Sequence, residues 1–111
     1  MASYVPERGD IVWLTLDPQA GHEQAGHRPA LVLSPRAYNG RAGLALICPI
    51  TTVRKGYPFE VGLPEGRVSG VVLADQVRSL DWVARRARRA AKAPETALRE
   101  VLAKIAALLQ I

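Results

Sequence analysis

Two short stretches of this chain carry most of the side chains able to move protons or hold charge. Gly21 to Pro29, G-H-E-Q-A-G-H-R-P, gathers two imidazoles, a carboxylate and a guanidinium, and Thr51-Thr52 places two hydroxyls at the end of an apolar run. His22 to His27 is close to the zinc-protease pattern H-E-x-x-H but has one residue too many. On a helix that spacing turns the two imidazoles about 140° apart, and Gly26, with Asp17-Pro18 upstream, argues against a helix there. Cys48 is the only thiol, with no third ligand near; neither a metal nor any other cofactor is expected.

One kind of phosphodiester breaks without a metal. In RNA the 2′-hydroxyl already faces the neighbouring phosphorus. Cleavage then needs a group to accept the 2′-proton, one to protonate the departing 5′-oxygen, and donors to stabilise charge on the phosphoryl oxygens. His22, Glu23, His27 and Arg28 offer such groups, and the Thr51 and Thr52 hydroxyls with nearby backbone amides can hold a phosphate. Each residue also has an ordinary structural use. Arg28 before Pro29 can mark a strand start and pair with a carboxylate, and the threonines can cap backbone groups in a turn. Trp13, Tyr57 and Trp82 can stack on bases, but they can equally fill a core or an interface.

Positioning these groups falls to short β-like runs divided by Gly and Pro. Asp10 to Leu16 stops at Asp17-Pro18, Arg28 to Ser34 is closed by Pro35, and Leu44 to Ile50, Phe59 to Leu63, Gly70 to Ala74 and Val77 to Trp82 follow. Val83 to Lys92 is rich in Ala and Arg, and pattern alone leaves it open. After Ala93, a poor N-cap, Pro94 suits the first turn of a helix, along which Leu98, Val101, Leu102, Ile105, Leu108 and Leu109 form one apolar stripe. Many short strands and one late helix predict a mainly β fold, a small barrel with the C-terminal helix packed on it.

At 111 residues the chain amounts to one domain, 1–111, and a two-domain enzyme is excluded. Hydrophobic residues at 49% and charged ones at 23% exclude a disordered chain. The net charge of +5 is local: Met1 to Asp81 holds eight basic and eight acidic residues, whereas Trp82 to Ile111 holds seven basic and two acidic. Arg85, Arg86, Arg88, Arg89 and Lys92 form its densest part, suited to a polyanion or an acidic protein segment, or to keeping an edge soluble. A single cysteine points to a reducing compartment. Early charges such as Glu7, Arg8 and Asp10 break any signal-peptide run, and no stretch approaches the roughly 18 apolar residues of a membrane span. A soluble, cytoplasmic protein is expected.

The ordered blocks resemble the MazF/PemK (Kid) toxins of bacterial toxin–antitoxin pairs. They are R-G-D-I-V-W at Arg8 to Trp13, L-D-P at Leu16 to Pro18, G-H-E-Q-A-G-H-R-P at Gly21 to Pro29, and L-V-L-S-P at Leu31 to Pro35. C-P-I-T-T at Cys48 to Thr52, K-G-Y-P-F-E at Lys55 to Glu60 and L-A-D-Q-V-R-S at Leu73 to Ser79 complete the set. The resemblance implies an SH3-like β-barrel, a homodimer, and sequence-specific cleavage of single-stranded RNA without metal, leaving 2′,3′-cyclic phosphate and 5′-hydroxyl ends. It also implies that Val83 to Ala91 is a strand, against local propensity.

Within that family the MazF branch maps its catalytic set to Arg28 and Thr51, with Glu23 nearby. The Kid branch maps to His22 and Asp75, but Leu73 stands where its arginine belongs. Arg28 is therefore expected to stabilise charge and transfer protons, Thr51 to hold the phosphate, and His22 to assist. Because a guanidinium keeps its protons, abstraction of the 2′-proton suits His22 better. Glu23, Gln24, His27, Thr52, Asp75 and Gln76 are expected to contact RNA, with Lys55 and Arg85 on phosphates. The cognate antitoxin would lay an acidic, disordered tail along the same surface. A gyrase-binding toxin of the same barrel is the competing class; its members carry a tryptophan near the chain end, where this chain reads Leu108-Leu109-Gln110-Ile111.

Overall fold

The computed structural model describes residues 3–15 and 27–111. Their elements are β1 (Asp10–Thr15), β2 (His27–Val32), α1 (Arg36–Ala42), β3 (Leu44–Thr51), β4 (Glu60–Leu63), β5 (Gly70–Leu73), β6 (Arg78–Asp81), β7 (Arg88–Lys92) and α2 (Glu95–Leu109). The strands run in the order β4-β5-β3-β2-β1-β7, with β6 alongside β3 and every pairing antiparallel. The sheet is curled into an SH3-like half-barrel, and the late helix packs on it.

The curl is made at β3. On one flank its residues Leu44 to Ile47 pair with β6, whereas Ile50 and Thr51 pair with β5. On the other flank β2 follows it from Val32↔Ile47 to Ala30↔Pro49 and goes no further. A strand that changes partners must bend, and the bend opens space beside its C-terminal end.

Period-two alternation divides the apolar residues between two cores. Ile11, Leu31, Cys48, Ile50, Val61, Val72 and the buried α2 residues Ala97, Leu98 and Val101 form the larger one. Val12, Leu14, Ala30, Val32, Ala45, Ile47 and Leu80 form the other. Each fully buried Val or Leu contributes about 1.5–3 kcal/mol of transfer free energy.

Asp10 is buried among apolar neighbours and fully engaged. The Tyr4 hydroxyl donates to it at 2.6 Å, the Glu7 amide at 3.1 Å, and Arg89 and Lys92 sit at 3.6 Å. Burial first, then this carboxylate, raises the Tyr4 hydroxyl far above the usual phenol range. Two cations of the basic patch thus serve as counter-ions for a buried acid.

Three expectations are corrected. The strand implied for Val83 to Ala91 is confined to Arg88–Lys92. Residues before it form a turn, in which the Asp81 carboxylate accepts from the Ala84 amide, the Ala87 amide reaches the Trp82 carbonyl, and Arg86 takes a left-handed φ of 56°. Pro94 is the N-cap of α2 and stands one residue before the first turn. Leu108 and Leu109 lie in α2 but are 50% and 61% exposed, because the stripe extends beyond the sheet it packs on.

Helix α1 has no counterpart in the sequence pattern. Its seven residues include Asn39 and Gly40, both poor helix formers, and a buried network holds it. Asn39 Nδ2 donates to the Pro6 and Ser34 carbonyls, Asn39 Oδ1 accepts from the Ser34 hydroxyl, and the Asn39 carbonyl accepts from Trp82 Nε1. Trp82 is thereby placed in packing rather than stacking.

Burial, with the Asp75 charge as a smaller cause, pushes the Cys48 thiol up to about 12. The unfolded chain ionises this thiol near its ordinary value of 9, so stability is intact below that pH and is lost as pH rises towards about 12. A disulfide reagent at mildly alkaline pH is expected to label Cys48 only as fast as the chain opens. Prompt labelling of the native protein would contradict the burial.

Candidate functional site

The C-terminal end of β3 gathers four of the sequence-predicted groups, Thr51, Lys55, Asp75 and Gln76. Thr51 is half-buried there, and its Oγ1 accepts the Val53 amide at 3.1 Å. That bond uses a lone pair, so the hydroxyl proton remains free to donate among the described residues. Across the β3–β5 pair Thr51 faces Val71, and Gly70, just before it, has a φ of +116°. A Cβ at Gly70 would collide with the Thr51 carbonyl oxygen and come within 2.9 Å of its carbon. Only glycine lets β5 approach Thr51 this closely.

On one side of Thr51 lies a cavity of about 300 Å³, lined by Thr51, Lys55, Tyr57, Phe59, Asp75 and Gln76 among others. Its outer wall is the 52–59 loop, fixed by Glu60, whose two carboxylate oxygens accept the Lys55 and Gly56 amides at 2.9 and 3.0 Å. Lys55 Nζ lies 5.9 Å from the Tyr57 ring centroid. Two rings, two acids and an amide side chain suit a flat heterocycle with donor edges better than they suit a phosphate.

On the other side lies a cleft of about 90 Å³ between β2 and β3, where their pairing has ended. Arg28, Arg78, Leu14, Ala30, Ile47 and Pro49 line it with Pro29 and Ile50. The β2–β3 pairing ends at Ala30↔Pro49, two residues short of Arg28 on one strand and of Thr51 on the other. Alternation puts Arg28 on the face of Ala30 and Val32, and Thr51 on the face of Ala45 and Ile47, which is the same face. Arg28 thus lines the small cleft and Thr51 the larger cavity, and alternation puts both on one face of the sheet.

The remaining candidates fall in three places. Lys55, Asp75 and Gln76 join Thr51 in the larger cavity, and Thr52 is exposed beside it. His27 is exposed at the start of β2, opposite Thr15. Arg85 reaches the Thr15 carbonyl at 3.5 Å from the far flank of β1, so β1 and β2 separate it from Thr51. His22, Glu23 and Gln24 lie outside the described residues. Sequence reasoning passed over Phe59, Glu60, Gly70 and Arg78. Ser69-Gly70 before an apolar run was a legible turn signal, but Arg78 gave none.

Residues 7–109 match the family described as the PemK-like, MazF-like toxin of type II toxin–antitoxin systems. The chain belongs to this family. It is 49% identical over 109 residues to the endoribonuclease toxin MazF of Escherichia coli, which covers 98% of both chains. To the Escherichia coli endoribonuclease PemK it is 40% identical over 109 residues, 93% of this chain and 81% of that one. A crystal structure of MazE–MazF from Deinococcus radiodurans superposes with a TM-score of 0.93 at 60% identity, covering 98% of this chain and 99% of that one. The MazF/PemK fold is shared even by a mycobacterial endoribonuclease at 20% identity, with a TM-score of 0.75 and coverage of 97% and 94%.

Proposed function

We propose that this chain, an endoribonuclease toxin of the MazF/PemK family, cuts single-stranded RNA by in-line attack of the substrate's own 2′-hydroxyl, without a metal. What supports the proposal is that Arg28 lines the small cleft and Thr51 the larger cavity, with strand alternation giving both side chains one sheet face. Arg28 donates to the phosphoryl oxygens and neutralises the charge that grows on them. The Thr51 hydroxyl donates to the same group and fixes the in-line geometry. His22 accepts the 2′-proton, the 2′-oxygen–phosphorus bond forms as the phosphorus–5′-oxygen bond breaks, and Arg28 supplies the proton that the departing 5′-oxygen takes up. The products are a 2′,3′-cyclic phosphate and a 5′-hydroxyl.

Sequence preference comes from the larger cavity. A base turned out of the RNA stacks on Tyr57 and Phe59, while Asp75 accepts from its amino or imino edge and Gln76 reads the remaining positions. The loop residues Glu23, Gln24 and His27 read flanking bases, and Thr52, Lys55 and Arg85 add polar contacts to the chain. The protein acts as a homodimer, and an acidic antitoxin tail occupies the same surface to block it. No described helix is long and apolar enough to cross a membrane, in keeping with action in the bacterial cytoplasm on messenger RNA.

The test is to incubate the purified protein with a long mixed RNA in excess chelator and to map and characterise every fragment end. Discrete ends at a recurring short sequence, each carrying a cyclic phosphate, are expected. A uniform ladder would contradict the base-reading cavity, 3′-phosphate-free ends would contradict the mechanism, and intact RNA would leave the non-enzymatic gyrase-binding class.

A further inference from the structure

The small cleft contains a second cation that catalysis does not use. Arg78 opens β6, where it pairs with Ile47 of β3, and it shares the lining of the cleft with Arg28. Leu80, two residues on, is buried in the Val12–Ile47 core, so alternation puts Arg78 on the same sheet face as Arg28 and Thr51. Three elements thus aim polar groups at one side of the sheet.

Nothing among the described residues neutralises this pair. Neither arginine takes part in an ion pair or hydrogen bond there. Asp81, the acid on the same strand, is three positions away on the opposite face and accepts the Ala84 amide. Asp75 lines the other cavity, and Asp10 is occupied by Tyr4, Arg89 and Lys92. Two guanidiniums held at one apolar-floored cleft, with no counter-charge among the described residues, raise the local potential, and a planar donor fork is suited to phosphate oxygens.

Separation along the strand decides which phosphate. Ile47, opposite Arg78, and Thr51 are four steps apart on β3, about 13 Å at roughly 3.3 Å per residue. Arg78 therefore enters from the end of the cleft away from Thr51 and meets a different phosphate from the one Thr51 holds. We propose that Arg78 is a substrate-binding residue that anchors the RNA phosphate neighbouring the scissile one. The proposal rests on the endoribonuclease reading and adds a site to it.

The test pairs binding with turnover. Affinity of a single-stranded RNA that carries one 2′-deoxynucleotide at the mapped cut is measured against salt concentration, for the wild type, Arg78→Gln and Arg78→Lys. Arg78→Gln is expected to weaken binding about tenfold, as one charge-assisted contact does. It should also flatten the slope of log affinity against log salt by about 0.7, the share of one single-strand phosphate. Arg78→Lys should restore the slope, and on cleavable RNA the loss should fall on KM rather than kcat. Unchanged affinity and slope in Arg78→Gln, with wild-type melting, would overturn the proposal. So would a fall in kcat at unchanged affinity, or a flattened salt slope that Arg78→Lys does not restore. A wild type that neither binds nor cuts would overturn the functional reading itself, whereas a wild type that does both beside an indifferent Arg78→Gln removes only this anchor.

Discussion

Arg28→Ala is expected to lower kcat for RNA cleavage about 10³-fold, the combined size of a lost proton-transfer group and a lost charge-stabilising donor. Its side chain is exposed at the mouth of a cleft and holds up no core, so melting should move by no more than about 3 °C. Arg28→Lys should recover little, because a point charge cannot reproduce a two-pronged contact to phosphate. His22→Ala separates the two roles by pH. If His22 accepts the 2′-proton, the rise of rate with pH near neutrality disappears in that variant; an unchanged profile would remove His22 from the role. Full activity in Arg28→Ala, with the fold intact, would overturn the site assignment.

Gly70→Ala is expected to damage both the fold and the chemistry. The residue combines a φ of +116° with a Cβ position already filled by the Thr51 carbonyl, so either β5 must withdraw or Thr51 must move. Strain of this kind amounts to about 1–3 kcal/mol before the collision is counted, which corresponds to a fall in melting temperature on the order of 10 °C for a chain of this size. The surviving folded protein should turn over RNA about 10²-fold more slowly, since displacement of a positioning group by about 1 Å has effects of that order. Gly66→Ala is the control, because nothing lies within 4 Å of its Cβ position and its φ is not left-handed. Equal melting temperatures for the two variants would contradict the close approach of β5 to Thr51.

What could be read without coordinates follows from which information is local. Strands β1, β3, β4 and β5 stand in runs whose alternation or β-branching records burial directly, and α2 records its buried face as a 3.6-residue stripe. Thr51 was nameable from its hydroxyl at the end of an apolar run, and Lys55, Asp75 and Gln76 from the blocks that resemble the family; all four line one cavity. Helix α1 was invisible because its stability lies in bonds from Asn39 to Pro6, Ser34 and Trp82, up to 43 residues distant. Composition left the segment before β7 open and the resemblance alone implied strand there; the cap that makes it a turn, Asp81, sits just outside that segment. Arg78 looked like any charge on a solvent-facing strand. Its meaning depends on the cleft it shares with Arg28, whose lining comes from β1, β2, β3 and β6 together.

The attacking group is the centre of the account, and one atom of substrate tests it. Two oligonucleotides containing the mapped cut are compared, identical except that one lacks the 2′-oxygen on the nucleotide immediately 5′ of the cut. The all-RNA strand is expected to be cut to a cyclic-phosphate end, and the single-deoxy strand to bind with similar affinity and remain whole. Cleavage of the deoxy strand at a comparable rate would show that water or a protein side chain attacks the phosphorus, and the roles given to Arg28 and Thr51 would have to be abandoned.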